Sequence, residues 1–233
     1  MISIHQSQFL SWTPFYYKAI KSDNFIILDD VQFQKNGVQN RNLIKTPQGQ
    51  KWITLPVKHD LSTPINKVTI SDKVSYKKIL KTIELNYKKS PNFEKIYDVL
   101  FSELKEEYDY LVDTNDKIFI QILSLLDKKI ELNKSSNLQC IQSKDDLVIE
   151  IIKKVGDLDY LSGTGALSYM NLQKFKNENI KVYTYDFKQQ PYSQQWDREQ
   201  GFIENLSIID LLLNNYENVN NYLNTCGSIS RII

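Results

Sequence analysis

Cysteine is almost missing from this chain. Cys140 and Cys226 are the only two in 233 residues, they stand far apart, and neither belongs to a Cys-x-x-Cys pair. That argues against a disulfide framework or a thiolate metal cage and makes both thiols packing residues. Net charge is missing as well: 29 basic residues face 28 acidic ones, so bulk electrostatics favour neither nucleic acid nor an anionic membrane as partner. No apolar run approaches the roughly 20 residues that a bilayer span needs. Met1-Ile-Ser-Ile4 starts like a strand, not like a leader, so the expected location is cytoplasmic. Histidine is scarce, and a metal site would require His5, His59 and an aspartate to converge, so none is expected. The common nucleophile signatures are absent too. There is no Gly-x-Ser-x-Gly elbow, and neither cysteine sits beside a histidine.

What is present suffices for a globular enzyme-sized domain. Apolar residues make up 41% of the chain, enough for a sizeable core. Ile2–Ile4 and the continuous apolar run Phe25–Leu28 read as strands, the second covered on both faces. Between them, apolar residues at helical spacing over 10–21 predict a helix, giving a strand-helix-strand unit. Residues 52–57 predict a third strand after the turn Thr46-Pro-Gln-Gly49, and 68–70 an edge strand. Helical spacing then dominates 76–87, 93–109 and 114–126, the last with Thr114 or Asn115 as its cap. A polar connector over 135–143 precedes a helix opened by Asp145-Asp146. A helix over 167–177, a strand over 181–185 and a helix over 208–214 complete the reading. The expected fold is α/β, a mixed, mostly parallel sheet in a single domain over 1–233, with a helical insertion at about 76–133.

Chemistry-bearing residues gather at the ends of the apolar runs. His5 and Asp29 fall immediately after the first two strands, where α/β sheets take their ligands. An unperturbed histidine pKa near 6.5 suits His5 to act as a general base. Asp29 and Asp30 point in different directions on extended backbone, so one can face a site while the other caps the next element. Arg41 and Lys45, with Gln6, Lys35, Asn40 and Asn42 nearby, form a candidate anion grip, the arginine fork and the ammonium holding a phosphate or carboxylate. The loop Ser162-Gly163-Thr-Gly165 offers backbone N–H groups before a predicted helix. It lacks the lysine and spacing of a P-loop and the full Gly-x-Gly-x-x-Gly fingerprint, so a helix-entry turn explains it as well.

The words Ile4-His-Gln-Ser-Gln-Phe-Leu-Ser-Trp12, Leu28-Asp-Asp-Val-Gln-Phe33 and Gln39-Asn-Arg-Asn-Leu-Ile-Lys45 resemble, in order and spacing, the N-terminal half of the WbqC-like family of bacterial proteins. Tyr160-Leu-Ser-Gly-Thr-Gly-Ala166, Tyr192-Ser-Gln194 and the run from Phe202 to Asn214 resemble its C-terminal half. Ser7 and Ser11 stand where the family pattern has prolines. The resemblance implies a role in bacterial surface polysaccharide, since such proteins accompany O-antigen gene clusters. The reaction expected from it is transfer of an acyl or aminoacyl group to the amine of a nucleotide-linked amino sugar, with a carrier-protein or coenzyme A thioester as donor. In that scheme His5 is the base, Asp29 or Asp30 orients it, and Arg41 with Lys45 grips phosphate, while the C-terminal block, with Tyr192 and Gln194, completes the same site. Two alternatives remain open. The first is a degenerate HxGH nucleotidyltransferase opening, with Gln8 in the place of the second histidine, and the other is a non-catalytic binding protein of the assembly machinery.

Overall fold

A computed structural model describes residues 1–233. In chain order the elements are β1 (Ile2–Gln6), α1 (Thr13–Ile20), β2 (Asn24–Leu28), β3 (Arg41–Thr46), β4 (Gly49–Thr54), β5 (Val57–Lys58), β6 (Thr69–Ile70), α2 (Val74–Tyr87), α3 (Phe93–Leu100), α4 (Ser102–Lys105), α5 (Leu111–Leu125) and β7 (Glu131–Lys134). They continue with α6 (Lys144–Val155), β8 (Asp159–Ser162), α7 (Leu172–Asn177), β9 (Lys181–Phe187), α8 (Asp197–Gln200), α9 (Ile208–Asn215), α10 (Val219–Cys226) and β10 (Gly227–Arg231). No helix is long and apolar enough to cross a membrane.

Six strands form the main sheet in the order β10-β9-β8-β1-β2-β7, parallel throughout except for antiparallel β10. The α/β expectation therefore holds, and the sheet is mixed and mostly parallel. Counted along the chain, the order is third-second-first-fourth-fifth-sixth, that of a doubly wound sheet whose direction of winding reverses between β1 and β8. Side-chain alternation builds a core on each face. Phe25, Ile27 and Leu161 face α1, α5 and α9, while Ile2, Ile4, Ile26 and Val182 face α6 and α7. Helix α1 starts where it does because Pro14 sits in its first turn, later than the predicted start at residue 10.

Several sequence expectations are corrected. Residues 52–57 are not one sheet strand: β4 ends at Thr54, and β5 resumes after Pro56. The Arg41–Lys45 box is strand β3, paired with β4 in a hairpin outside the main sheet, and β5 pairs with β6 in another. The material between β2 and β7 thus begins with two hairpins, and its helices start at Val74, close to the expected 76. Its last helix, α5, starts at Leu111, which puts Thr114 and Asn115 inside it and not at its cap. The connector after residue 130 supplies strand β7 at Glu131–Lys134, and α7 begins only at Leu172, after a short 3-10 segment at Thr164–Ser168. Helix α10 and strand β10 have no counterpart in the sequence reading.

Candidate functional site

The carboxyl ends of β1 and β8 part company early. Strand β1 pairs with β2 over five residues but meets β8 only at Ile2–Tyr160. Beyond that point side chains replace the ladder: Ser3 Oγ donates to the Leu161 carbonyl at 3.2 Å, and Lys18 Nζ donates to the Ile4 carbonyl at 2.8 Å. The strands part at the point where the winding reverses, the place where open α/β sheets form a ligand crevice, and both loops that leave it carry residues singled out above. His5 and Gln6 close β1, and Ser162 closes β8, followed by Gly163 and Gly165.

His5 is half-buried, with its ring edge-on to Phe15 at 4.8 Å. Its Nδ1 lies 3.0 Å from the Gln6 carbonyl. A carbonyl only accepts, so Nδ1 carries the proton and Nε2 keeps its lone pair. Burial pushes the imidazole down to about 3, with the Lys18 charge adding to the effect and the Gln6 carbonyl opposing it. Burial thus keeps His5 neutral at physiological pH, with the Nε2 lone pair free to accept. Lys18, which the sequence reading passed over, is 1% exposed, faces no carboxylate within ion-pair distance, and is lowered by burial to about 7.

Gly163 and Gly165 have no conformational need to be glycine. Gly163 sits at φ −72°, neither residue lies in the left-handed region, and an added Cβ would meet nothing within 4 Å at either position. The space beside them is open. The helix expected to follow them is only the 3-10 segment, so the helix-entry geometry read from the sequence is absent.

Asp29 and Asp30 form a clasp. Asp29 is 1% exposed and accepts from Ser135 Oγ, Ser136 N, Ser136 Oγ and Asn66 Nδ2, while Asp30 accepts from Ser135 Oγ. These bonds tie the end of β2 to the segment after β7 and leave Asp29 little capacity to orient a base. Gln6 is held by Gln39, whose amide donates to Gln6 Oε1 at 2.8 Å. Above this edge lie Asn115 and Asp116 of α5, also unforeseen. Asn115 Nδ2 donates to Ser7 Oγ and to the Gln39 carbonyl, both at 2.9 Å, and Asp116 Oδ2 lies 2.8 Å from Lys134 Nζ. A proline at position 7 would offer no such hydroxyl.

The second half of the expected anion grip is elsewhere and already occupied. Lys45 is fully buried and donates to Gln194 Oε1, Asp197 Oδ1 and the Gly201 carbonyl. Gln194 and Tyr192 both donate to Asp210 Oδ1, and Tyr87 donates to Asp210 Oδ2. Burial raises the pKa of Asp210, and these three donors pull it back down. Lys45, Tyr192 and Gln194 thus come together in a closed internal network, with none of these contacts reaching His5 or Asp29. Arg41 stacks on Trp52 with its guanidinium 4.4 Å from the ring and donates to the Asn36 carbonyl. Asn40 donates to Leu55 O and Asn42 to Leu10 O, while Lys35 is exposed and His59 packs on Phe33. Two surface hollows of about 220 and 660 Å³ lie away from the crevice, one below α1 and α5, the other between α6 and α7.

Comparison with known proteins adds one decisive match. The model of the WbqC-like protein family aligns with residues 6–222. The chain belongs to this family. The uncharacterized protein Rv1507c of Mycobacterium tuberculosis is 31% identical over 229 residues, covering 97% of this chain and 98% of that protein. No solved structure matches. The WbqC-like match takes in both loops of the crevice except for His5, one residue before its start.

Proposed function

We propose that this WbqC-like protein is a transferase of bacterial surface-polysaccharide (O-antigen) biosynthesis that places an acyl or aminoacyl group on the amine of a nucleotide-linked amino sugar. One observation carries the reading: the winding reverses between β1 and β8, the place where open α/β sheets receive nucleotides, and the two sequence blocks around His5 and Ser162 leave the sheet there. The open backbone at Gly163 and Gly165 admits a phosphate, and His5 Nε2 accepts from a hydroxyl. The acyl donor in this reading is a carrier-protein or coenzyme A thioester.

A second reading, nucleotidyl transfer, is favoured by the position of His5 at the end of the first strand of a sheet with this strand order, and by Gln8, whose Oε1 is buried without a partner where such enzymes carry a second histidine. Thermal unfolding of the purified protein with nucleotide-linked amino sugars or with ATP separates the two. A ligand at a hundred times its Kd stabilises by about 2.7 kcal/mol, which for a chain of this size raises Tm by roughly 5–10 °C. Amino-sugar nucleotides are expected to give that shift. A shift with ATP alone supports nucleotidyl transfer, and no shift with either class overturns both.

A further inference from the structure

Helix α5 runs antiparallel to the strands it covers. Leu126, just past its end, lines a hollow with Ile20 at the end of α1, whereas its early residues reach the carboxyl edge. Asn115 holds Ser7 after β1, and Asp116 meets Lys134, the last residue of β7; Asp29 directly follows β2, the strand between them. One turn further along, Phe119 packs on Phe15 and Phe25 and fixes the helix against the sheet. Asn115 and Asp116 therefore lie over the same edge as His5.

Two of their oxygens have no partner at all. Asn115 is 2% exposed and its Oδ1 has no donor; Asp116 is 6% exposed, its Oδ1 has no donor, and its Oδ2 contact to Lys134 is not aligned as a hydrogen bond. Buried acceptors without donors are uncommon and expensive. Every orphan here accepts, so the partner that completes the group is a donor, and beside a carboxylate the fitting donor is an amine.

We propose that Asp116 Oδ1 receives the acceptor amine and takes its proton during transfer, with Asn115 Oδ1 accepting a second N–H. This rests on the transferase reading above. The amine nitrogen bonds to the acyl carbon of the thioester and the carbon–sulfur bond breaks; the nitrogen's proton passes to Asp116 and from there to the departing thiolate, leaving an amide and a free thiol. Burial raises Asp116 to about 6; Lys134 from β7 opposes the rise, and Asp29 at the end of β2 and Asp113 on α5 add to it. A carboxylate so raised is a better base than one near 4, and far better than His5.

The test is calorimetric binding of UDP-, dTDP- and GDP-linked hexosamines with a free amine, each against its N-acetylated counterpart. The wild type is expected to prefer the free amine by about tenfold or more, as a charge-assisted contact provides, and to lose that preference as pH falls through about 6. Asp116→Asn removes both the preference and its pH step. The double variant Asp116→Asn/Lys134→Met, which leaves no unpaired cation, serves if the single variant does not fold. Wild-type binding with a preference that survives in the variant overturns the role of Asp116 and leaves the transferase reading standing. Failure of the wild type to bind any of these probes overturns both.

Discussion

A buried ammonium without a carboxylate weakens a fold, and Lys18 shows by how much. Its ordinary pKa of 10.5 falls to about 7 in the folded chain, a differential of roughly 5 kcal/mol at neutral pH. Between those values the unfolded chain binds a proton that the folded one does not, so this group makes stability rise with pH from about 7 to 10.5 and fall again on the way down. Lys18→Met keeps the buried stem, abolishes that dependence and loses the bond to the Ile4 carbonyl, at a cost of about 1–3 kcal/mol. The net expectation is stabilisation by about 2 kcal/mol at pH 7, read from urea unfolding, with a flatter difference between pH 7 and 10 than in the wild type. A destabilised variant would mean that the lysine is needed for the β1–β8 junction itself. A residue that costs stability where it stands is a mark of a working site, and the same logic covers the unpaired oxygens of Asn115 and Asp116.

At the scale of elements, close approach sets the limits. Gly227 begins β10, and a Cβ there would lie 2.3 Å from Cε2 and Cζ of Tyr17, whose ring rests against Tyr185 and Phe187. Gly227→Ala must push the ring out of place, at about 1–3 kcal/mol, so Tm is expected to drop by several degrees in a melting scan; an unchanged Tm would show that Tyr17 yields freely. Neither β10 nor β7 was legible in the sequence, for one reason: as the two edges of the sheet they carry a single large apolar residue each, Ile229 and Leu132, too few to establish a period. Strand β2 was legible because it is covered on both faces and runs Phe-Ile-Ile-Leu, and β1 because Ile2 and Ile4 alternate with Ser3. Strand β3 read as a polar box because Asn42, Lys45 and Thr46 are buried among hydrogen bonds, a burial that polarity conceals. His5 was found because it ends an apolar strand, and Ser162 only through the glycine loop that follows it, since β8 itself went unread. Lys18, Asn115 and Asp116 were not, since a polar residue on an amphipathic helix looks the same whether it meets water or a buried carbonyl, and only contacts over 14 to 108 residues of sequence reveal the difference.

The whole molecule depends on the segment between β2 and β7 in a way that its position as an addition to the sheet conceals. Helix α5 belongs to that segment, yet it is the crossover that covers Phe15 and Phe25 and carries Asn115 and Asp116 to the ligand edge. Leu43 O accepts from Ser207 N and the Ser11 carbonyl from Ile208 N, so the β3–β4 hairpin and the loop after β1 are both bonded to the start of α9. The Asp210 network joins α2, β3 and the loop before α8 through Tyr87, Lys45 and Gln194. A structure tied together in this way has no natural line along which the hairpins or α2–α4 could melt alone, so one cooperative transition is expected. Trp52 sits on the β3–β4 hairpin, Trp12 before α1 and Trp196 before α8, so tryptophan fluorescence samples the added segment and the C-terminal loops together with the loop after β1. Far-UV circular dichroism samples all helices. The two signals are expected to trace one urea transition with a common midpoint. A fluorescence transition that precedes the loss of helix would separate the hairpin segment from the sheet and break the single-domain description.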